Sequence, residues 1–593
     1  MSIPVVSIFR NHSAVCRSAL KRYDIKKYLL LSKQPTIIVE QNRYSMTKTN
    51  LLSRLYRHGV QLMAVGIITG ICAGVIVTFF NVAAELFSKY AKDLYSLIRE
   101  NPAFVPLLFV ALAIIAFLIS TLSKFVPMVR GSGIPQTEGA ARGLLELKWY
   151  KSLPSMVAAC LVCIISGLTA GAEGPSMFIG ATCGDGTSKL LRCTDMERRY
   201  QLTGGACAGL AVAFNAPLTG IVFAFEEAHR RFTPAIFICA FSSVLSATIT
   251  RNALYQAMKM PIVSTFSTFS LVQMPLNTYG FVALAAIISG LLGFGFYCLC
   301  LLSRKVFAKI TFAKGLGKML IPFLAAGVFG LITASAMGGG HSFIQSLGTN
   351  GGIDAQNVTT VFSSPIVVSL IIILVLRAIA TALNLGAGVP CGIFIPMLSI
   401  GACIGALVSK LCGVIGMDSI YADCIVMICM ATFFASIVKA PITAIIMVVE
   451  LTWQFTLLIP VILGVSFGYM VSEIFGAKPI YEVILDGILE DEHIHLTRHT
   501  YSTVIENGSI AMNKPIRDVL WPGNLLIRSI KRNGENVIAA SDTVLRVGDE
   551  ITVQTECVDF NRFKTWVDEI VKPRQNLIRL SLRRKKTPND NSY

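Results

Sequence analysis

The chain has 593 residues, of which 54% are hydrophobic and only 15% charged, with a mean hydropathy of +0.64. That is too apolar for a soluble protein of this size and reads as a polytopic membrane protein. The formal net charge of +18 does not make a nucleic-acid binder, because the cations gather at the two ends instead of on an aromatic-interleaved face.

Residues 1–54 form a basic segment that includes Arg10, Arg17, Lys21, Arg22, Lys26, Lys27, Lys33 and Arg43. It holds no apolar run of the length a secretory leader needs, and the lack of periodicity before Met46 fits a start assigned too far upstream for residues 1–45. Apolar stretches then follow near 59–80, 104–126, 153–170, 203–226, 234–250, 278–302, 318–337, 364–386, 390–412, 421–450 and 456–475. Several fall short of the roughly 20 residues a span requires, which predicts re-entrant or tilted helices. Cations at both ends predict cytoplasmic termini and an even number of crossings. Cysteines such as Cys72, Cys160, Cys163 and Cys429 sit inside apolar runs and read as small core residues, not as a disulfide framework.

Four Gly/Pro-broken segments interrupt this apolar chain: Gly131-Ser132-Gly133-Ile134-Pro135, Gly171-Ala172-Glu173-Gly174-Pro175, Gly392-Ile393-Phe394-Ile395-Pro396 and Lys478-Pro479-Ile480-Tyr481. Lipid cannot satisfy freed backbone groups, so broken backbone at bilayer depth must line a cavity or be buried in protein. Helices that begin there aim their N-terminal amides at the cavity, which suits an anion. The chain also repeats. Ala216-Pro217-Leu218-Thr219, ending at Glu226, matches Ala440-Pro441-Ile442-Thr443, ending at Glu450, at an offset of 224, and Gly171–Pro175 is paired with Gly386–Pro390 at an offset of 215. Two related halves around a midplane site are a transporter pattern, and broken segments at matching positions lean towards inversion.

After residue 476 polar and apolar residues alternate, which marks a soluble domain. Residues 487–500 read as a linker, and 501–572 as a small α/β domain with strands at Leu525–Ile530, Val537–Ala539 and Glu550–Gln554. A hairpin turn is expected at Asn533-Gly534, helices near 514–520 and 558–571, and a basic tail over 573–593.

A dehydrated anion needs several neutral donors, since a full positive charge would hold it too tightly for turnover. Ser132 taken alone reads as a helix cap and Tyr481 as an interfacial aromatic. Glu173 is a carboxylate at an intramembrane helix start, able to occupy an anion site when charged and to leave it when protonated. Of the pair Glu226-Glu227, Glu226 is expected to pair with His229, Arg230 and Arg231 at the membrane boundary. Glu226 and His229 share the Glu-x-x-His spacing of di-iron bundles, but such a site needs copies on neighbouring helices plus further carboxylates, and the other occurrences, Glu490/His493 and Glu492/His495, fall at the charged stretch around 487–500. His493, His495 and His499, beside Asp491 and Glu492, read as a solvated charged linker and not as a metal site. No phosphate-loop, nucleophile-elbow or zincin pattern occurs, so the chain is not expected to be an enzyme.

These motifs, with Phe214-Asn215-Ala216-Pro217 between them, resemble those of the CLC chloride channels and proton-coupled chloride transporters over roughly residues 55–486, in order and in register. The soluble domain resembles the C-terminal module of TrkA-type potassium-transport regulators. The resemblance implies an all-α polytopic membrane protein of two inverted-repeat halves with broken helices, a small α/β cytosolic domain and a homodimer. It implies an anion held by the hydroxyls of Ser132 and Tyr481 and the backbone N–H groups of Ile393 and Phe394. Glu173 would be the external gate and proton acceptor, and Glu227 the internal proton relay. The expected activity is chloride/proton antiport across the plasma membrane without a cofactor, with a passive gated chloride channel as the alternative and a membrane sensor as a third reading. An unidentified small molecule would bind the cytosolic domain. Many family members carry a basic residue where this chain has Ala172, and nitrate-preferring members tend to carry proline at the position of Ser132.

Overall fold

The computed structural model describes residues 37–228, 233–310, 316–348, 365–491, 497–519, 521, 525–557 and 560–573, with side chains from residue 59 onward except at 224, 228 and 491. Residues 1–36, His229–Arg231, His493, His495 and the basic tail after residue 573, all of which carried sequence expectations, lie outside them. The chain divides into two compact units, Met1–His58 and Gly59–Tyr593. Among the described residues the first holds only the opening turns of a helix, and every contact below belongs to the second.

A first series of helices runs α1 (Ile37–Glu100), α2 (Val105–Phe125), α3 (Ile134–Arg142), α4 (Trp149–Ile165), α5 (Glu173–Leu190), α6 (Asp195–Phe214), α7 (Pro217–Phe223) and α8 (Pro234–Ala257). A second series repeats the pattern as α9 (Tyr279–Lys309), α10 (Leu316–Ile332), α11 (His341–Leu347), α12 (Ile366–Ala387), α13 (Phe394–Ile415), α14 (Ala422–Val438), α15 (Pro441–Thr452) and α16 (Leu458–Ile474). A last membrane-domain helix, α17 (Ile480–Asp491), follows. Seven helices among the described residues are long and apolar enough to cross a bilayer, with four shorter apolar ones beside them.

The stretches expected as single spans over 203–226 and 421–450 are each two helices. Asn215 and Lys439 close α6 and α14 in the left-handed conformation, with φ of 54° and 66°, and a proline opens the next helix. Helix α5, absent from the expected spans, is buried along almost its whole length. Its Gly180 and Gly184 lie against α6 so closely that a Cβ on Gly180 would stand 2.1 Å from the Gly205 carbonyl oxygen. Small residues let the two backbones approach, and they keep the hydropathy of α5 too low to mark it as a span.

Two features show how the halves are related. Gly171 and Gly392 form an isolated antiparallel bridge, with reciprocal N–H···O bonds of 2.9 and 2.8 Å, so α5 and α13 start side by side. The counterpart of Gly171–Pro175 is therefore Gly392–Pro396, and the expected match with Gly386–Pro390 is corrected: Gly386 and Ala387 end α12 and Gly388 caps it. The glutamates of the other repeat exchange places. Glu226 accepts from the N–H groups of Ile442 (2.9 Å) and Thr443 (2.7 Å) at the start of α15, and Glu450 accepts from those of Leu218 (2.8 Å) and Thr219 (2.7 Å) at the start of α7. Each carboxylate thus satisfies orphan amides and complements the helix dipole of the other half. Glu226 turns to α15, and the basic run His229–Arg231 expected to pair with it lies outside the described residues.

The C-terminal module is an antiparallel sheet of β1 (Thr497–Val504), β2 (Leu526–Arg532), β3 (Glu535–Val537) and β4 (Glu550–Cys557), in the order β1-β4-β2-β3, with α18 (Phe560–Val571) packed on it. Asn533 and Gly534, at φ of 53° and 88°, make the expected hairpin turn. The stretch expected as a linker, 487–500, consists of the end of α17 and the first half of β1 on either side of residues 492–496. His499 lies in β1, stacked 4.6 Å from Phe560. The helix expected near 514–520 is a single 3-10 turn, Ile516–Asp518.

Candidate anion and proton site

Helices α3, α5 and α13 begin around one point. A Cβ on Gly174 would stand 2.3 Å from the Ser132 carbonyl oxygen and 3.2 Å from Gly392 Cα, so no residue larger than glycine fits there. Gly133 precedes α3 at φ 85°, a conformation that glycine adopts without strain, and it leaves Ser132 at the helix mouth. Ile393 and Phe394 open α13, where the first-turn amides have no intrahelical acceptor. Tyr481 lies in the first turn of α17 and is fully buried. The Ser132 and Tyr481 hydroxyls are both buried with no hydrogen-bond partner in the protein. Orphaned buried hydroxyls are costly unless something fills their donor capacity, and an anion does that. The Phe394 ring packs on Phe214 and Phe434 at 4.8 and 4.4 Å, which gives the site an apolar wall.

Glu173 is the first residue of α5 and is 3% exposed. Burial of a carboxylate needs compensation, and Glu173 has two sources of it. The helix start supplies partial positive charge. The other source is His341, whose Nε2–H donates to Glu173 Oε1 at 3.1 Å. His341 opens α11 and was not anticipated from the sequence. The available signal was the run Gly338-Gly339-Gly340 before a short helix, which echoes Gly131-Ser132-Gly133 before α3.

Glu173, Ala172 and His341 line a cavity of about 560 Å³ together with Glu85, Lys92 and Arg251. Asn215, at the C-terminal end of α6, also lines it, whereas the module contacts α6 at its N-terminal end. A second cavity, of about 640 Å³, is lined by Glu226, Lys439 and Lys478 and leads to the segment that carries Tyr481. Glu227 is buried in a five-residue π-helical turn, Ala224–Ala228, the same turn that sends Glu226 to α15. Such turns are frequent at functional sites. Glu173 and Glu227 both lie close enough to Tyr481 to act on it electrostatically.

The module rests on the opposite end of α3. Gly143 caps α3 at φ 78°, and a Cβ there would stand 2.1 Å from the Trp566 ring. The guanidinium of Arg199 lies over that ring at 5.2 Å, and its Nε donates to the Ala141 carbonyl at 2.8 Å. Glu569 accepts from the Met196 N–H in the first turn of α6 (3.2 Å), and its burial beside Asp195 pushes the carboxyl up to about 7.

Comparison with known proteins shows what the chain as a whole is similar to. Residues 115–473 match the family described as voltage gated chloride channel, and residues 501–567 match the TrkA-C domain. An H(+)/Cl(-) exchange transporter of Vibrio cholerae is 30% identical over 79% of this chain and 96% of its own length. One of Yersinia pseudotuberculosis is 28% identical over 75% and 92%. Among solved structures, a slow cyanobacterial Cl-/H+ antiporter superposes with a TM-score of 0.66 at 25% identity, over 73% of this chain and 99% of that one. A eukaryotic CLC transporter shares the fold, with a TM-score of 0.57 at 20% identity over 77% and 79%.

Proposed function

Because the chain belongs to the voltage-gated chloride channel family, we propose that it exchanges chloride for protons across the plasma membrane, as a homodimer with one pathway per subunit and both termini in the cytoplasm. It is a transporter and not an enzyme. Chloride is its cargo, held by the Ser132 and Tyr481 hydroxyls and the N–H groups of Ile393 and Phe394. The cavity at Glu173 is the external vestibule in this reading, and the module is cytosolic.

The observation that carries the proposal is the presence of two buried carboxylates, Glu173 and Glu227, within electrostatic reach of the buried, unpartnered Tyr481 hydroxyl. A gate needs one carboxylate. A proton route from the cytoplasm needs a second, inside the protein and away from the anion path. Charged Glu173 competes with chloride for donors at the helix starts, and protonated Glu173 yields the place. Glu227 exchanges that proton with the cytoplasm.

The test uses purified protein in liposomes under a chloride gradient with no proton gradient. Wild type should drive protons uphill, whereas chloride flux without uphill proton movement would make the protein a passive channel. Glu227→Gln should lose the uphill protons while chloride flux and the response to external pH remain. Equal coupling in wild type and Glu227→Gln would remove Glu227 from the route.

A further inference from the structure

The geometry points to His341 as the residue that carries protons between external water and the Glu173 carboxylate and that holds this carboxylate while it is charged. The inference rests on the antiport reading and adds a named group to it. Glu173 is 3% exposed, whereas the His341 side chain is 38% exposed and lines the vestibule. The ring therefore stands between water and the carboxylate, with Nε2 already on Oε1.

Other charged and titratable groups line the vestibule or lie behind its wall, and among the described residues none of them is hydrogen-bonded to Glu173. From α1, Lys92 donates to Ser342 Oγ, while Glu85 and Lys89 line the wall. From α8, Arg251 donates to Asn215 Oδ1 at 2.8 Å and lies 4.1 Å from the Tyr255 ring. From α12, Arg377 is fully buried and donates to the carbonyls of Ser335, Met337 and Gly339 and to Ser399 Oγ. Among the described residues His341 is the one titratable side chain hydrogen-bonded to Glu173. Arg377 also explains why the ring is held in place: three bonds from one cation, to the carbonyls of Ser335, Met337 and Gly339, fix the loop that delivers it, and a fourth ties the same cation to Ser399.

The proton step balances within these groups. Imidazolium His341 passes the Nε2 proton to Oε1 and keeps the electron pair on Nε2. Neutral Glu173 loses its reason to stay at the helix start and swings away, which exposes Nε2 to the vestibule. Nε2 then takes a proton from hydronium, which leaves as water, and proton exit runs the same steps in reverse. Ala172 fits this picture, since a cation supplied by α11 from the other half makes one beside the gate in sequence unnecessary.

The experiment compares wild type, His341→Gln and His341→Ala in proteoliposomes, with external pH stepped from about 5 to 8 across the imidazole range. Gln keeps an N–H donor for Oε1 but cannot carry a proton. His341→Gln should match wild type in acid and fall roughly tenfold behind above neutrality, at unchanged stoichiometry. External imidazole should restore His341→Ala, a rescue that a merely structural histidine would not show. Variants that track wild type at every pH, or a His341→Ala variant that imidazole leaves slow, would overturn the assignment. A wild type that moves no protons uphill would instead overturn the antiport reading. Chloride flux then reads the gate alone: losing its imidazole-range inflection in His341→Gln supports His341 as proton carrier, and keeping it overturns that role.

Discussion

Tyr481 is a fully buried phenol whose hydroxyl has no partner in the protein, so its contribution is isolated by removing one atom. A hydrogen bond to a charged group is worth about 1.5–3 kcal/mol, and Tyr481→Phe should weaken chloride binding roughly 10- to 100-fold. Titration calorimetry with chloride checks this, and an unchanged affinity would place the anion elsewhere. The place of Ser132, Glu173 and Tyr481 at helix starts was legible in the sequence because each belongs to a local Gly/Pro motif whose backbone meaning is readable within five residues. His341 was not, because its partner lies 168 residues away and only the fold brings them together. The bonds of Glu226 to Ile442 and Thr443 went unforeseen for the same reason, as these partners are 216 and 217 residues distant.

Helix α3 joins two sites. Ser132 stands at its start and the Trp566 ring of the module at its end, about 14 Å apart for a nine-residue helix at 1.5 Å per residue. A shift of the module therefore reaches the proposed anion site along a short rigid element. Gly143→Ala introduces a Cβ into the Trp566 ring at a positive φ, and it should change the exchange rate severalfold while the chloride-to-proton ratio stays constant. Docking should also respond to pH. A free Glu569 ionises near the ordinary value of 4.5, but docked it keeps its proton up to about 7. Docking thus takes up a proton, is strongest below 4.5 and weakens as pH rises through 7. The Trp566 fluorescence, read as the difference from Trp566→Phe, should report release over that interval, and Glu569→Gln should abolish the pH dependence. Strands β2 to β4 were legible through Asn533-Gly534 and alternation. Strand β1 was not, because it is an edge strand of mostly exposed polar residues.

At the scale of the whole molecule, the proposed anion and proton contacts all precede the module. Truncation after Asp491 leaves α17 and Tyr481 intact, and coupled exchange in liposomes should persist, altered in rate. Loss of all flux from a folded dimer would show that the module is more than regulatory. The exchanged glutamates of the two halves have a consequence for how such a chain could be assembled. Each half offers one glutamate and one uncapped helix start, and the two contacts match in partners and distances to about 0.1 Å. A half is thus complementary to a copy of itself lying upside down. A gene encoding one half could build this contact only if its product entered the membrane in both directions. Fusion into a single chain removes that demand and leaves the halves free to differ, as they do two residues before the starts of α3 and α11, where one has Ser132 and the other Gly339.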